Sequence, residues 1–402
     1  MQITKRLNFL GKTGNIISEV FLINILIVGV GLLTNTFIAR WFGQENFGIF
    51  MYFFSITNMI YLFVSFGLAN YVAKLKQSEL SRKLFIKIIY VILIFNFLGS
   101  AIIYIVGRNL QPQIAFWFWL VFLYSFGMTL FNIVGGALRR LEKFKLAMYF
   151  SLFNRIVLIV LVAISALLQN FWLVLLSMSI AIISVILFEL PKIKLSNSGA
   201  SIKTTLNKSI PFLLALLSMQ VLYHIDRISI RYLLSFTQLG YFSGYSNFIN
   251  ILRIGAFTIP FVMITKSSRQ EYNIYRSLRK LSIVLIPLAL IIGFSAPYFV
   301  PFLFGPEYAV VNYQLIWMMI LSSSLLVIYS LTNSIYLGSK KSDFLMQKIM
   351  WLDAFLSVGL NLTLNYYFII QWGLVGAPLA TTITLFSKII LNSYAIKLAE
   401  VA

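Results

Sequence analysis

One apolar stretch carries the side chains whose types and spacing favour chemistry. It runs from Ser209 to Ser235, about 27 residues, which is enough to cross a ~30 Å hydrocarbon layer. His224, Asp226 and Arg227 lie near its centre, and Arg231 follows one turn later. Each central charge costs roughly 2.5–3.5 kcal/mol on insertion scales, so such a helix should be shielded from lipid. The pattern predicts a membrane helix that turns a polar stripe toward an internal cavity.

Other apolar segments also contain charged side chains, and arginine predominates among them. Six charged residues lie well within such segments, namely Glu19, Arg155, Asp226, Arg227, Arg253 and Asp353. With Arg40 and Arg231 at segment ends, five arginines face three acids. This cationic excess favours an anionic ligand, because the planar guanidinium group donates paired hydrogen bonds to phosphate. The candidate substrate-binding residues are Arg40, Arg155, Arg227, Arg231, Arg253 and two asparagines on polar helix faces, Asn58 and Asn250.

The buried acids favour coupling of transport to an ion gradient. A carboxylate in a cavity of low dielectric constant is sensitive to neighbouring charges and can load or release a proton. The candidate ion-coupling residues are Asp226, Asp353, Glu19 and His224. A structural interpretation stays open for all of these groups, since Asn and Ser often join membrane helices and Asp–Arg pairs can neutralise each other.

Composition sets the class of protein that must position these side chains. Of the 402 residues, 60% are hydrophobic and 11% are charged, which predicts an all-α integral membrane protein. The net charge of +21 comes from short Lys and Arg clusters between apolar segments, a pattern that indicates contact with anionic lipids and excludes a nucleic-acid partner. The absence of cysteine and the single histidine argue against disulfides, a zinc site or another cofactor. The first apolar segment lacks the features of a cleavable signal.

Twelve apolar segments of membrane length are predicted. The even-numbered connections and both termini carry most of the Lys and Arg residues, whereas the odd-numbered connections contain only Arg40, Arg108 and the borderline Arg231. By the positive-inside rule, both termini lie in the cytoplasm. The segments are 16–39, 48–72, 84–107, 113–137, 146–168, 171–190, 210–235, 240–265, 281–304, 310–337, 346–370 and 373–396.

An internal repeat predicts two halves. The residues around Gly48 and Asn58 resemble those around Gly240 and Asn250 at a constant offset of 192 residues. The repeated segments start on the same side of the membrane, so the halves should be parallel repeats with a binding cavity between them. We therefore expect two pseudo-symmetric bundles of six helices, residues 1–195 and 196–402.

Four short motifs resemble those of the Wzx-type polysaccharide flippases. Residues 42–48 (FGQENFG) resemble the turn after the first helix of that family, and Pro211, Asp226 and residues 239–241 (LGY) its seventh-helix pattern. Residues 303–308 (LFGPEY) and 373–381 (GLVGAPLAT) resemble two further family segments. The family belongs to the MOP superfamily, which also contains the MATE multidrug exporters and the peptidoglycan precursor flippase.

The resemblance implies a MATE-like fold of twelve helices and a function. It implies transport of an undecaprenyl-diphosphate-linked oligosaccharide, for O-antigen or capsule, across the bacterial cytoplasmic (inner) membrane, with intramembrane arginines holding the diphosphate and a proton or sodium gradient driving antiport. Polysaccharide polymerases and chain-length proteins become candidate partners. Two alternatives remain open. An exporter of cationic drugs should have an acid-rich cavity, and a membrane-embedded polymerase or glycosyltransferase should have sizeable outer loops.

Overall fold

The structure of the protein is a computed structural model that describes residues 2–75, 80–108, 114–141, 143–190, 193, 195–196, 201–267, 274–338 and 343–401. Across these ranges the chain is almost entirely helical, and the β-structure is one isolated bridge between Ser81 and Ser196. The helices are α1 (Gln2–Val64), α2 (Leu68–Lys74), α3 (Arg82–Arg108), α4 (Ile114–Arg140), α5 (Phe144–Leu167), α6 (Phe171–Glu189), α7 (Ile202–Leu233), α8 (Phe236–Ser267), α9 (Ile274–Phe304), α10 (Tyr313–Gly338), α11 (Asp343–Phe355), α12 (Asn361–Trp372) and α13 (Gly376–Val401).

Helix α1 contains a break that separates two predicted membrane segments. Its 63 residues are interrupted at Gly43, whose φ of 79° and ψ of 170° are not helical. A positive φ of this kind is inexpensive for glycine alone, because other residues carry a Cβ that clashes with the backbone. The predicted segment 16–39 therefore precedes the break, and the segment 48–72 follows it and continues into α2.

The eleventh predicted segment contains a second irregularity. A π-helical turn, Leu356–Leu360, joins α11 to α12, and a 3-10 turn, Gly373–Val375, leads into α13. Single π turns inside α-helices occur frequently at functional sites. This one separates Asp353 from Asn361 and Asn365, three of the polar residues in the predicted stripe.

All twelve predicted segments coincide with helical stretches. Within the described ranges, nine helical stretches are long and apolar enough to cross a membrane. Two of them, Leu22–Val64 and Lys348–Tyr394, contain 43 and 47 residues, more than twice the roughly 20 that one crossing needs. Each of these covers two predicted segments, and α8 coincides with a further one. The all-helical membrane architecture expected from the sequence is confirmed.

Apolar side chains on the outer faces of the helices fit a lipid environment. On α9, Ile283, Val284, Ile291 and Phe294 are each about two-thirds exposed, whereas Ala296 and Val300 of the same helix are fully buried. Water would not favour so many exposed aliphatic and aromatic side chains on one helix face, but hydrocarbon does. The helix therefore presents one face to lipid and the other to protein.

The chain divides into two compact units. Unit 1 comprises residues 1–34 and 63–212, and unit 2 comprises residues 35–62 and 213–402. In unit 1, α4 packs against α2, α3 and α6, and α5 packs against α6. In unit 2, α10 lies between α8 and α13 and contacts both extensively. The predicted bundle boundary at residue 195 and the predicted cavity between two bundles stay predictions.

Candidate functional site

Asp226 is a buried carboxylate held by neutral donors in unit 2. The hydroxyl of Thr381 on α13 lies 2.9 and 2.8 Å from its two oxygens, and Nδ2 of Asn365 on α12 donates to Oδ1 at 2.9 Å. The same amide donates to the Oδ1 of Asn361 at 3.0 Å. We name these four residues the Asp226 layer. Its side chains come from three different helices, so α7, α12 and α13 meet at this carboxylate.

Two arginines accompany Asp226, whose carboxylate acts on both electrostatically without an ion-pair contact in the described part of the chain. Arg227 is 5% exposed and forms no hydrogen bond or ion pair with any residue that the structure describes. Arg253 on α8 donates from Nε to the hydroxyl of Ser323 at 2.9 Å and stacks over the ring of Tyr223, with 4.5 Å between its Cζ and the ring centroid. The two guanidinium groups are close enough to repel each other electrostatically.

A small cavity lies beside these groups. Asp226 and Arg253 line it together with Tyr223, Thr381 and apolar side chains of α7, α10 and α13. Its volume of about 10 Å³ corresponds to roughly one water molecule. The site therefore combines a carboxylate, a guanidinium group and a hydroxyl around a space that is closed to larger ligands in this conformation.

The second buried acid, Asp353, belongs to a separate cluster. Its Oδ2 accepts a hydrogen bond from the hydroxyl of Tyr329 at 2.5 Å and another from Ser218. Its Oδ1 lies 3.7 Å from Nζ of Lys388, a fully buried lysine on α13. Lys388 also donates to the carbonyl and hydroxyl oxygens of Ser218 and, at 2.7 Å, to the hydroxyl of Ser357. We name these five residues the Lys388 layer.

The remaining candidates of α7 and its neighbours have local contacts in unit 2. His224 is buried with its ring 6.1 Å from that of Phe54, and its Nδ1 has no hydrogen-bond partner within the described part of the chain. Asn58 is also buried, and its Nδ2 donates to the carbonyl of Phe54 at 2.7 Å. The Oδ1 of Asn250 is buried with no partner within the same ranges. Their assignments to substrate binding or coupling stay predictions.

The two arginines predicted at the outer mouth have contacts that fix local structure. Arg40 donates to the carbonyl of Phe302 and, at 2.7 Å, to that of Leu303, near the end of α9. A cation there satisfies carbonyl groups that the helix end leaves open. Arg231 stacks over the ring of Phe236 with 3.9 Å between its Cζ and the centroid. Substrate binding by either residue stays a prediction.

Two further candidates lie outside unit 2. Arg155 is half-buried on α5 of unit 1, and its positive charge acts on the hydroxyl of Tyr124 on α4. Glu19 belongs to a stretch of α1 whose side chains lie outside the described residues. The structure therefore brings Arg227, Arg253 and Asp226 together and assigns Arg155 to the other unit.

Three of the sequence motifs meet at one end of unit 2. The backbone N–H of Gln44 donates to Oε2 of Glu307 at 3.0 Å, and its side chain donates to the carbonyl of Thr237 at 3.0 Å. A Cβ on Gly48 would lie 1.9 Å from the carbonyl oxygen of Phe236, so these backbones can approach only because the residue is glycine. Burial, reinforced by the charge of Glu307, raises the pKa of Tyr308 in the same connection.

Sequence reasoning missed the lysine at the centre of the second cluster. Lys388 lies in the middle of the last predicted segment. A lysine in an apolar membrane segment needs an acid or other polar partner, so its position alone could have identified it as a candidate. Tyr329 and Thr381 gave no such signal, because neutral hydroxyl side chains are common in membrane helices. Thr381 is nevertheless the last residue of the motif at 373–381, which places it where α13 begins to face Asp226.

Several solved structures share this helical membrane-spanning architecture. The chain is similar to the lipid II flippase MurJ in an inward closed conformation, with a TM-score of 0.72 and 17% identity over 94% of this chain and 87% of that one. It is also similar to an inward-facing MATE-family multidrug resistance transporter of the MOP superfamily, with a TM-score of 0.67 and 15% identity over 92% and 94% of the two chains. A third match is the Vibrio cholerae MATE transporter VcmN, with a TM-score of 0.61 and 14% identity over 96% and 98%.

Residues 15–264 match the family model described as polysaccharide biosynthesis protein, so the chain belongs to that family. A comparison with curated protein sequences found no match. The family and the MATE-like fold expected from the motifs are confirmed. The solved structures that share the fold are described as a flippase and as transporters, and the chain is a multi-pass membrane protein of the same fold.

Proposed function

We propose that the protein is a flippase that moves an undecaprenyl-diphosphate-linked oligosaccharide from the cytoplasmic to the outer leaflet of the bacterial inner membrane. Membership of the polysaccharide biosynthesis family and the fold shared with a lipid II flippase support a lipid-linked sugar as the class of substrate. The oligosaccharide would be a repeat unit of O-antigen or capsule. Both termini would lie in the cytoplasm, and polysaccharide polymerases and chain-length proteins would act on the product.

The observation that carries this proposal is the pair of arginines without an acid partner. Arg227 is buried and Arg253 is partly buried, and the two positive charges repel each other. Asp226 supplies only one negative charge near them, and Thr381 and Asn365 already hold its oxygens. One cationic charge is therefore left over in a region that penalises charge. A diphosphate would neutralise it and accept hydrogen bonds from both guanidinium groups.

The size of the cavity requires a conformational change for binding. A volume of about 10 Å³ admits one water molecule and not a diphosphate. Helices that line the cavity must separate to admit the substrate, which fits a mechanism of alternating access. In the closed conformation Arg253 and Asp226 line this small cavity, and Arg227 lies next to Asp226 on α7.

Asp226 is the residue that we assign to coupling with an ion gradient. Its carboxylate, the hydroxyl of Thr381 and the amides of Asn361 and Asn365 place several oxygen atoms around one buried negative charge. A proton or a sodium ion bound there would lower the repulsion between Asp226 and an incoming diphosphate. Asp226→Asn should remove the dependence of transport in vesicles on the imposed ion gradient. An unchanged dependence on both pH and sodium would contradict this assignment.

Binding of a lipid diphosphate provides the direct test. Undecaprenyl diphosphate should raise the thermal unfolding temperature of the purified protein more than undecaprenyl monophosphate does, and tetraphenylphosphonium should have no effect. Arg227→Gln and Arg253→Gln should each weaken the diphosphate effect, whereas Arg227→Lys should lose part of it because a lysine lacks the two-pronged geometry. Arg279→Gln, which removes an exposed arginine of the same unit, is the matched control.

The same assay separates the alternative functions. Stabilisation by tetraphenylphosphonium that exceeds stabilisation by the diphosphate would favour an exporter of cations and would contradict the flippase proposal. Equal responses of all variants to the diphosphate would remove the two arginines from substrate binding. A polymerase would instead elongate the oligosaccharide on its lipid carrier, which chromatography of the lipid-linked product detects.

A further inference from the structure

The two arginines beside Asp226 are held in different ways. Nε of Arg253 donates to the hydroxyl of Ser323 at 2.9 Å, and the guanidinium group lies over the ring of Tyr223 with 4.5 Å between Cζ and the ring centroid. Arg227 forms no hydrogen bond, ion pair or ring contact with any residue that the structure describes. The guanidinium group of Arg253 is therefore fixed by two contacts, whereas that of Arg227 is free to change its orientation.

Ser323 differs from other hydroxyl residues of α10. The hydroxyls of Ser322 and Ser334 donate to carbonyls of their own helix, which is common for serine in a helix. The hydroxyl of Ser323 is fully buried, and within the described ranges its hydrogen bond is the one that it accepts from Arg253. A hydrogen bond from a charged donor is stronger than one between neutral groups, so Ser323 is well suited to hold the guanidinium group in place.

The backbone that carries Arg253 also rests on α10. The hydroxyl of Ser330 donates to the carbonyl of Ala256 at 2.5 Å, and a Cβ on Gly255 would lie 3.4 Å from a methyl carbon of Val327. Ser323, Val327 and Ser330 lie on one face of α10, at the i, i+4 and i+7 spacing of a helix. Helix α10 therefore fixes both the backbone and the guanidinium group of Arg253.

These contacts hold Arg253 in place against an electrostatic repulsion. The charges of Arg227 and Arg253 repel each other, and Asp226 supplies one negative charge that attracts both. Without a fixed contact, Arg253 could turn away from the cavity that it lines with Asp226 and Thr381. Because Ser323 occupies Nε, the N–H groups of both terminal nitrogens remain for the hydroxyl of Tyr223 and for a ligand.

We propose that Ser323 is a positioning residue that presets Arg253 as the fixed half of a two-part diphosphate site, with Arg227 as its adaptable half. This inference rests on the proposed function. The fixed guanidinium group receives one phosphate without being immobilised at the moment of binding, which removes an entropic cost. Arg227 then turns toward the second phosphate. A monophosphate has no second group to join the two arginines, so Ser323 contributes to a preference for the diphosphate.

The ratio of two affinities tests the preference. Titrations of the purified protein with undecaprenyl diphosphate and undecaprenyl monophosphate, followed by thermal unfolding, give both dissociation constants. Ser323→Ala should reduce the preference for the diphosphate about 3- to 10-fold, which corresponds to the cost of immobilising one long side chain. Ser323→Thr keeps the hydroxyl and should restore the preference. The control is Ser330→Ala, which removes a buried contact between α10 and α8 that does not involve Arg253 and should leave the preference unchanged.

Nuclear magnetic resonance of the ligand-free protein tests the positioning directly. With 15N-labelled arginine, the Nε–H signal of Arg253 is the one that Arg253→Gln removes. The picosecond-to-nanosecond motion of this bond should be restricted in the wild type and in Ser330→Ala, and larger in Ser323→Ala. The Nε–H bond of Arg227, identified in the same way with Arg227→Gln, should be more mobile than that of Arg253 in the wild type.

The outcomes separate this inference from the flippase proposal. A wild-type preference for the diphosphate that Ser323→Ala retains would overturn the role of Ser323 and leave the flippase proposal in place. Equal mobility of Arg253 in the wild type and Ser323→Ala would do the same. Equal loss of the preference in Ser323→Ala and Ser330→Ala would show a general loosening of α8 and α10, and would also overturn the positioning role. A wild-type protein that does not bind undecaprenyl diphosphate would contradict both proposals.

Discussion

The Asp226 layer and the Lys388 layer share α7, the α11–α12 region and α13, to which the Lys388 layer adds Tyr329 of α10, but they balance their charges differently. In the Lys388 layer a lysine and an aspartate neutralise each other. In the Asp226 layer the carboxylate is hydrogen-bonded by neutral groups, and it is one negative charge that acts on two arginines, Arg227 and Arg253, without an ion-pair contact in the described part of the chain. The positive charge available to an anionic ligand is therefore confined to one layer. Replacing a cation should destabilise the fold in one layer and weaken ligand binding in the other.

The largest effect is expected for Lys388→Gln. It leaves Asp353 buried without its cation, and breaking a buried ion pair costs about 3–5 kcal/mol of unfolding free energy. Denaturant unfolding of the purified protein measures this loss.

The double variant Asp353→Asn/Lys388→Gln is the control for that prediction. It removes both charges, so it should recover most of the lost stability. A double variant as unstable as Lys388→Gln would mean that the lysine stabilises the fold through Ser218 and Ser357 and not through Asp353.

The arginines should behave in the opposite way. Arg227→Gln should leave the unfolding free energy unchanged or raised, because it relieves repulsion with Arg253, yet it should weaken binding of undecaprenyl diphosphate about 10- to 100-fold. That range corresponds to the loss of a charge-assisted hydrogen bond worth about 1.5–3 kcal/mol. Titration followed by thermal unfolding measures binding, and Arg279→Gln is the control. A stability loss like that of Lys388→Gln would remove the distinction between the layers.

Much of this contrast could not be predicted from the sequence. Periodicity and loop charges gave the helices, because a lipid environment requires long apolar segments and positive charges mark the cytoplasmic side. They also identified Asp226, Arg227 and Arg253 as intramembrane charges. The pairing of Asp353 with Lys388 depends on contact between α11 and α13, whose relative rotation is not encoded in a local pattern. The π-helical turn at Leu356–Leu360 likewise left no signal, since its residues suit an ordinary α-helix.

The glycines show where a sequence motif did predict structure. Gly43 was part of a motif and proved to be the break in α1, where a positive φ is required. Gly48 lies in the same motif and allows the backbone of Phe236 to approach. These motifs lie at helix ends and breaks. Such positions depend on local backbone conformation, which a short sequence motif can specify. Asp226 and Thr381 also belong to motifs, but Arg227, Arg253, Asp353 and Lys388 lie outside them, so the motifs gave the helix ends and only part of the site.

A smaller effect is expected for Thr381→Val. The change removes the hydroxyl that lies 2.8 and 2.9 Å from the oxygens of Asp226 and keeps nearly the same side-chain volume. The buried carboxylate then lacks one of its hydrogen-bond donors. We expect a loss of about 1–3 kcal/mol in unfolding free energy and a change in the ion dependence of transport. The control is Thr382→Val, because the Thr382 hydroxyl donates to the carbonyl of Pro378 in its own helix and to no other residue in the described ranges. Equal effects of both variants would assign Thr381 no special role.

The smallest effect is expected for Ser357→Ala. This variant tests whether the two layers act separately, because it changes the Lys388 layer without removing a charge. Lys388 would lose one of its oxygen partners, and the carbonyl of Ser218 would lose the hydroxyl that now reaches it at 3.0 Å. The expected loss is about 0.5–1.5 kcal/mol, and binding of undecaprenyl diphosphate should not change. Ser387→Ala removes an exposed hydroxyl bonded to its own helix and should have no measurable effect. Weaker diphosphate binding by Ser357→Ala would contradict this separation of roles. A neutral change in the Lys388 layer would then have reduced binding that we assign to Arg227 and Arg253, so the two layers would have to bind the substrate together.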